Sequence, residues 1–413
     1  MQYIGMQVLA SNVHVRLFFS NFILFIMKPK ILLAFGTRPE AIKMAPLAIM
    51  FQNLHESFEM RICVTGQHRE MLDQIMQFFE LSAHYDLNVM RPGQNLFSLT
   101  SRIINDMRPV LEDFKPDYVF VHGDTTTSTA VALAAFYSGC KVAHVEAGLR
   151  TFDKWAPFPE EMNRNLTSKL ADIHFAPTRL ARKNLLNEAI NPASIAVTGN
   201  TVIDALHLGL EIIDNRPSEY IDKLKGVIDL QKPVILVTGH RRENHGDGFL
   251  HICAALREIA LTEDVNIIYP VHLNPNVQKP VYELLSDLPN VLLIEPQPYE
   301  SFIWLMSIAT VIITDSGGVQ EEAPALGKPV LVMRETTERP EAVDAGTVIL
   351  VGTHQKKIVD CTRELLHDKE LRLSYSAISN PYGDGHASEK IIQFLFPDAY
   401  NAYLKKKLTR IAD

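Results

Sequence analysis

From Lys30 onward the chain alternates short β-branched or apolar runs with amphipathic stretches, and that alternation leaves few folds open. ILLAFG is followed by a helical EAIKMAPLAIMFQNL, MRICVTG by HREMLDQIMQFFE, and YVFVHGD by TTTSTAVALAAFYSG, before KVAHVEAG. Strand, loop and helix at this spacing read as βαβ units, hence a parallel sheet with helices on both faces. The pattern pauses around SIAVTGNTVIDAL and the polar, helical DNRPSEYIDKLKGV. It restarts with PVILVTGHRREN, GFLHICAALREIAL, VNIIYPVH, NVLLIEP, TVIITDSGG and KPVLVMRE. Two βαβ sets of similar size therefore meet near residue 200. The expected fold class is α/β, two Rossmann-like doubly wound parallel-sheet domains facing a cleft. The first is expected over 28–200 and the second over 201–385, with a helical segment 386–413 packing back on the first. In such sheets ligands bind beyond the carboxyl ends of the strands, which makes every strand-end loop a candidate site.

Composition narrows the function. Of 413 residues, 47% are apolar and 21% charged, the balance of a globular protein rather than a disordered or fibrous one. Forty Lys and Arg against 48 Asp and Glu give a net charge of −8, which argues against nucleic acid held by bulk charge. A local anion site needs only a few basic groups and stays open. The four cysteines, Cys63, Cys140, Cys253 and Cys361, are widely spaced and none sits in a C-x-x-C, so buried thiols in a reducing compartment, the cytosol, are expected. Residues 1–27 stand apart. The apolar run Leu17–Met27 is about 11 residues, whereas a membrane-spanning helix needs about 20. Three readings stay open for it: an extension upstream of a true start at Met27, which the M-K-P-K-I-L-L opening suits; a packed or dimer-facing segment; or a membrane anchor.

Six loop segments can carry chemistry. Gly36-Thr37-Arg38-Pro39-Glu40 opens a helix whose free backbone amides, with Arg38, favour a phosphate. His122-Gly123-Asp124 and His144-Val145-Glu146 end adjacent strands and bring two carboxylates to one sheet edge, although Asp124 also suits a plain helix cap. Pro157-Phe158-Pro159-Glu160-Glu161 leads into a helix in which Glu160 and Arg164 form an i,i+4 pair. Gly239-His240-Arg241-Arg242 again suggests an anion, with His240 suited to proton transfer near neutral pH. Asp315-Ser316-Gly317-Gly318 places two glycines and a serine at a helix N-terminus, a cradle for a diphosphate, with Glu321 or Glu322 one turn in for ribose hydroxyls. The H-x-[DE] pairs His122/Asp124 and His144/Glu146 permit a metal geometrically, but no H-E-x-x-H and no Cys ligand accompany them, and no metal is expected. A nicotinamide cofactor loses support because no G-x-G-x-x-G occurs.

With these loops in view, the chain resembles the bacterial non-hydrolysing UDP-N-acetylglucosamine 2-epimerases. The motifs are FGTRPEAIKMAPL (35–47), VTGQHREMLDQ (64–74), HGDTTT (122–127), HVEAGLRT (144–151), PFPEEMNR (157–164), VTGNTVIDAL (197–206), GHRREN (239–244), YPVHLNP (269–275), TDSGGVQEEAP (314–324), ETTERPEAV (335–343) and NPYGDGHAS (380–388). They run in family order over nearly all of 28–396, and residues 1–27 fall outside. The resemblance implies two glycosyltransferase-B type domains, a homodimer, no cofactor or metal, and interconversion of UDP-GlcNAc and UDP-ManNAc for cell-surface polysaccharide, with no membrane or nucleic-acid partner. It implies Asp124, Glu146 and Glu160 as the carboxylates and His240 as the catalytic histidine. Arg38, Lys43, Ser316, Gly317, Gly318, Glu322 and Arg339 match its nucleotide-diphosphate contacts, with Gln297 and Phe302 beside the uracil. A second UDP-GlcNAc acting as activator is implied at Gln67, Arg241 and His272, although the pattern departs at Glu70 and Gly93.

The chemistry fits that set. The sugar C2 proton has no adjacent carbonyl, so elimination of UDP to a 2-acetamidoglucal and re-addition is the way round. Competing readings are a hydrolysing 2-epimerase, a retaining glycosyltransferase and a non-catalytic nucleotide-sugar sensor. The R-P-E and T-E-R-P-E motifs favour the non-hydrolysing branch. A transferase leaves three carboxylates unexplained, and a sensor has no need of them.

Overall fold

The computed structural model describes residues 28–66 and 69–412. The readings of 1–27 and of Gln67 therefore lie outside the described residues. Seven strands form the first sheet: β1 (Lys30–Phe35), β2 (Glu59–Val64), β3 (Tyr85–Asp86), β4 (Tyr118–His122), β5 (Lys141–Val145), β6 (Ile173–Ala176) and β7 (Ile195–Val197). Their order is β3-β2-β1-β4-β5-β6-β7, with parallel pairing. Six strands form the second: β8 (Val234–Thr238), β9 (Asn266–Pro270), β10 (Val291–Ile294), β11 (Val311–Thr314), β12 (Val330–Val332) and β13 (Val348–Leu350), ordered β10-β9-β8-β11-β12-β13 and also parallel. Both are doubly wound. The central strands are buried on both faces, as Leu32, Leu33, Phe120 and Leu236 show, which is why they read as continuous apolar runs rather than alternating ones.

The two sheets are joined by the helix Thr201–Asn215, whose buried face includes Val202, Ile203 and Leu206. Its N-cap is Asn200, whose side-chain oxygen accepts from the Val202 amide at 3.1 Å. The chain crosses back near residue 380, where the Asn200 amide donates to the Tyr382 carbonyl at 2.6 Å. Gly199 and Gly383 both have positive φ here, and a Cβ on Gly199 would lie 3.2 Å from the Gly383 Cα, so the close backbone crossing requires glycine. The last helices lie on the first sheet's side of the molecule. Asp204 accepts from the Ala387 and Ser388 amides at 3.0 and 2.7 Å, anchoring the start of the helix Ala387–Leu395. Phe394 then meets Phe175 edge-on, and Phe396 sits among Phe51, Phe58 and Tyr118 with centroids 4.6–6.4 Å away. Among the described residues, no helix is long and apolar enough to cross a membrane.

Candidate active site

In each sheet the strand order reverses direction at one point, between β1 and β4 and between β8 and β11. A crevice opens at such reversals. The loops that follow those four strands hold Gly36–Glu40, His122–Thr125, Thr238–Arg241 and Asp315–Gly318. Two adjoining cavities lie there, sharing Pro39 and Lys43.

The first cavity, about 440 Å³, contains the carboxylates: Asp124, Glu146 and Glu160 all line it, with Lys43, Arg164 and Arg339. Glu146 follows β5 in a left-handed conformation, φ 62°, a strained choice for a residue with a Cβ. Its carboxylate pairs with the Lys43 ammonium and accepts from Asn200 Nδ2 at 2.7 Å, and His122 Nε2 stands 3.7 Å away. Burial on its own would raise the pKa of Glu146, but Lys43 and His122 outweigh it and hold the group well below the usual carboxylate range. Burial pushes His122 down to about 4, which leaves it neutral. Asp124 goes the other way. Burial raises its pKa even though the Arg164 guanidinium beside it opposes the shift. One cavity thus holds two carboxyl groups driven apart in protonation.

Two local expectations need correction. Arg164 does not pair with Glu160; it turns to Asp124 and, at 3.3 Å, to Glu161. There the Arg164 guanidinium meets two carboxylates at once, Asp124 and the nearly buried Glu161, where the i,i+4 pair with Glu160 would offer one. Nor does Asp124 cap the following helix, because Thr125 does so by accepting from the Ser128 amide at 3.0 Å. The Thr37-Arg38-Pro39-Glu40 loop holds a full capping box, a T-x-x-E pattern visible in the sequence but not read from it. Glu40 is buried, accepts from the Gly36 and Thr37 amides at 3.1 and 2.8 Å, and takes a third bond from Thr125 Oγ1 at 2.7 Å. It ties the two loops at the reversal together. Gly36 is required by close approach, because a Cβ there would overlap the Thr65 and Thr127 hydroxyls. Buried Glu161, also unread, accepts from the Thr151 and Phe152 amides and fixes the loop that walls the cavity. Among the described residues no group of three or more His, Cys, Asp and Glu could hold a metal ion. His144 turns its Nε2 to the Gly123 carbonyl at 2.7 Å, away from Glu146.

The second cavity, about 660 Å³, is lined by Arg38, His240, His272, Gln297, Phe302, Ser316, Gly318 and Glu322. Ser316 precedes the helical turn Gly317–Glu322, and a Cβ on Gly317 would lie 3.2 Å from the Arg339 guanidinium carbon. Buried Asp315 accepts from the His240 and Arg241 amides at 2.9 and 2.8 Å, which fixes the basic loop after β8. The His240 ring stacks on His272 with centroids 5.1 Å apart, and burial lowers its pKa against the pull of Asp315. His240 therefore lines the second cavity, on the far side of Lys43 from the carboxylates. Of the residues implied for an activator, Arg241 and His272 are described. Arg241 lines the carboxylate cavity 3.6 Å from Glu338, and His272 lines the other.

Glu322 is buried beside Glu321, and burial together with that like charge pushes its pKa up to about 8, against Lys43 and Arg38. The folded protein then holds a proton that the unfolded chain gives up near its ordinary carboxylate pKa. Stability from this group is full below the unfolded value of 4.5 and lost as pH rises through 8. Glu322→Gln should leave the melting temperature near wild type at pH 5 and raise it at pH 8. Calorimetry at the two pH values checks this, and an equal shift at both would contradict it.

A family profile described as UDP-N-acetylglucosamine 2-epimerase matches residues 52–396. The chain is 54% identical over 369 residues to the UDP-N-acetylglucosamine 2-epimerase of Yersinia pestis, covering 89% of this chain and 98% of that protein. It is 55% identical to the one of Escherichia coli strain K12, with the same coverage of each. Its fold matches the crystal structure of UDP-GlcNAc 2-epimerase from Neisseria meningitidis bound to UDP-GlcNAc at a TM-score of 0.79 and 51% identity, covering 89% of this chain and 100% of that one. The Methanocaldococcus jannaschii enzyme, in complex with UDP-GlcNAc and UDP, matches at a TM-score of 0.71 and 35% identity over 89% and 99% of the two chains.

Proposed function

The chain belongs to the UDP-N-acetylglucosamine 2-epimerase family, and from that premise we propose that it interconverts UDP-GlcNAc and UDP-ManNAc by elimination and re-addition of UDP. The observation that carries this reading is the pair of adjoining cavities, one with three carboxylates and one with an anion cradle, meeting at Lys43. UDP spans the cleft, its diphosphate against Arg38, Arg339 and the Ser316–Gly318 amides, its uracil beside Gln297 and Phe302, and its ribose on Glu322. The sugar then reaches the carboxylates.

Glu146, held ionised, takes the C2 proton. The C–H electron pair forms the C1–C2 double bond as the C1–O bond breaks and leaves its pair on UDP. Asp124, whose proton is held more tightly than usual, protonates C2 from the opposite face. UDP re-adds at C1, and the reverse reaction exchanges the two roles. Glu160, on the wall of the same cavity, is placed to restore the starting protonation states. The basic groups and His240 stabilise the departing diphosphate and also retain it, which separates an epimerase from a hydrolase. A homodimer, a cytosolic location and supply of ManNAc units to a surface polysaccharide belong to the same proposal. An NMR time course tests it. UDP-ManNAc should accumulate to equilibrium with UDP-GlcNAc, whereas free ManNAc with UDP would mark the hydrolysing reaction instead.

Activation by a second UDP-GlcNAc is also proposed, with Arg241, His272 and Gln67 as its contacts. Arg241 and His272 lie on opposite cavities of the same cleft wall, so an effector there would couple to substrate through the closed state, typically by about 1–3 kcal/mol. Turnover of pure UDP-ManNAc should show a lag that trace UDP-GlcNAc abolishes, and Arg241→Ala should flatten any sigmoidal response. Lag-free hyperbolic kinetics would remove the effector site.

A further inference from the structure

We propose that Asn200 is a positioning residue, its single amide coupling the diphosphate cradle of the second sheet to the Glu146 carboxylate of the first. This rests on the function proposed above and adds a residue and a coupling to it. Asn200 is 3% exposed and lies where the chain passes from β7 into the joining helix. Its side chain is fully used. Oδ1 accepts from the Val202 amide at 3.1 Å, which fixes the amide's orientation and points Nδ2 into the cleft. Nδ2 then donates to Glu146 Oε1 and to Glu321 Oε2, each at 2.7 Å. An amide nitrogen has two hydrogens, and both are committed, one to each carboxylate.

The far partner belongs to the cradle. Glu321 is buried on the turn Gly317–Glu322, and its other oxygen accepts from Arg339 Nε at 2.8 Å. Arg339 in turn lies against Gly317. A continuous chain of charge-assisted hydrogen bonds thus runs from Arg339, packed against the Gly317 turn, through Glu321 and Asn200 to Glu146. The coupling matters because Glu146 sits in a strained backbone conformation, φ 62°, and its orientation depends on side-chain partners. Lys43 supplies charge at Oε1, and Asn200 adds a directional bond to the same oxygen. An anion drawing on Arg339 therefore changes the grip on Glu321, and through Asn200 the placement of the carboxylate at the sugar.

Asn200→Ser separates this role from the helix cap, since serine caps as well as asparagine but cannot reach two carboxylates. The expected result is a folded protein with a lowered melting temperature, since two nearly buried carboxylates each lose a donor, and UDP affinity within threefold. Turnover should fall about 100-fold, the loss expected when a catalytic group is misplaced by about 1 Å. KM should stay nearly unchanged. Amide hydrogen exchange gives a readout that does not need turnover. In the wild type, UDP should protect the segments 144–148 and 316–320; in Asn200→Ser the protection at 316–320 should remain and that at 144–148 should vanish. Protection of 144–148 that persists in the variant, or a variant turnover within twofold of wild type, would overturn the coupling. A wild type that shows the protection pattern without any epimerisation would overturn the proposed reaction and leave the coupling standing.

Discussion

Asp124→Asn and Glu146→Gln should each slow epimerisation roughly 10²- to 10⁴-fold, the range for a positioned acid or base, with UDP binding intact, although Glu146→Gln also strips Lys43 of its partner and lowers stability. The two carboxyl groups share one cavity but their proton affinities are pushed in opposite directions, that of Glu146 down by Lys43 and His122 and that of Asp124 up by burial against Arg164. Neither can replace the other, because one serves each face of the sugar. The two losses should also differ in kind. Glu146→Gln removes the base for UDP-GlcNAc and should abolish C2 exchange as well as turnover. Asp124→Asn leaves that base in place, so slow C2 exchange should outlast net epimerisation. Steady-state rates and NMR of the C2 position measure both. Near-wild-type rates in the two variants would discard this mechanism.

Lys43→Met should be the most damaging substitution for stability as well as rate. The Lys43 and Glu146 side chains are 15% and 8% exposed, and Lys43 also faces Glu321 and Glu322. Removing one partner of a nearly buried ion pair leaves the other uncompensated, at a cost of about 3–5 kcal/mol. The pH dependence has a definite sign. In the wild type the depressed pKa of Glu146 contributes stability that is present above its unfolded pKa and lost only as pH falls through the folded value. Without Lys43 burial dominates, the pKa of Glu146 rises, and the penalty for ionising it grows as pH rises. The variant should therefore be less destabilised at pH 5 than at pH 8. Denaturant titration at the two pH values checks this; equal losses would show that Lys43 does not set the state of Glu146.

The fold was largely legible because parallel strands buried on both faces leave continuous apolar runs, and ILLAFG, YVFVHGD and PVILVTGH are such runs. Three short strands were not. Ile173–Ala176 reads as IHFA between Asp172 and Pro177, Tyr85–Asp86 is only two residues long, and Val348–Leu350 only three, although Gly346 and Gly352 bound it. The site was legible where a residue type announces a chemistry on a strand-end loop, as with Asp124, Glu146 and the Ser316–Gly318 turn. What stayed hidden was the partnering. Whether Arg164 faces Glu160 along its own helix or Asp124 on another loop of the same cavity depends on tertiary packing, which local sequence does not record. Glu40, Glu161 and Asn200 were hidden for the same reason, since each acts by holding another segment and each has an ordinary local role as cap or first-turn acid.

The most direct test of the whole account is incubation of the purified protein with UDP-GlcNAc in D2O, following the C2 position by NMR and mass. Elimination through Glu146 with protonation from the opposite face predicts one solvent deuterium at C2 of UDP-ManNAc, and the same label entering the UDP-GlcNAc pool as the reaction reverses. Formation of UDP-ManNAc that retains the original C2 hydrogen would contradict it.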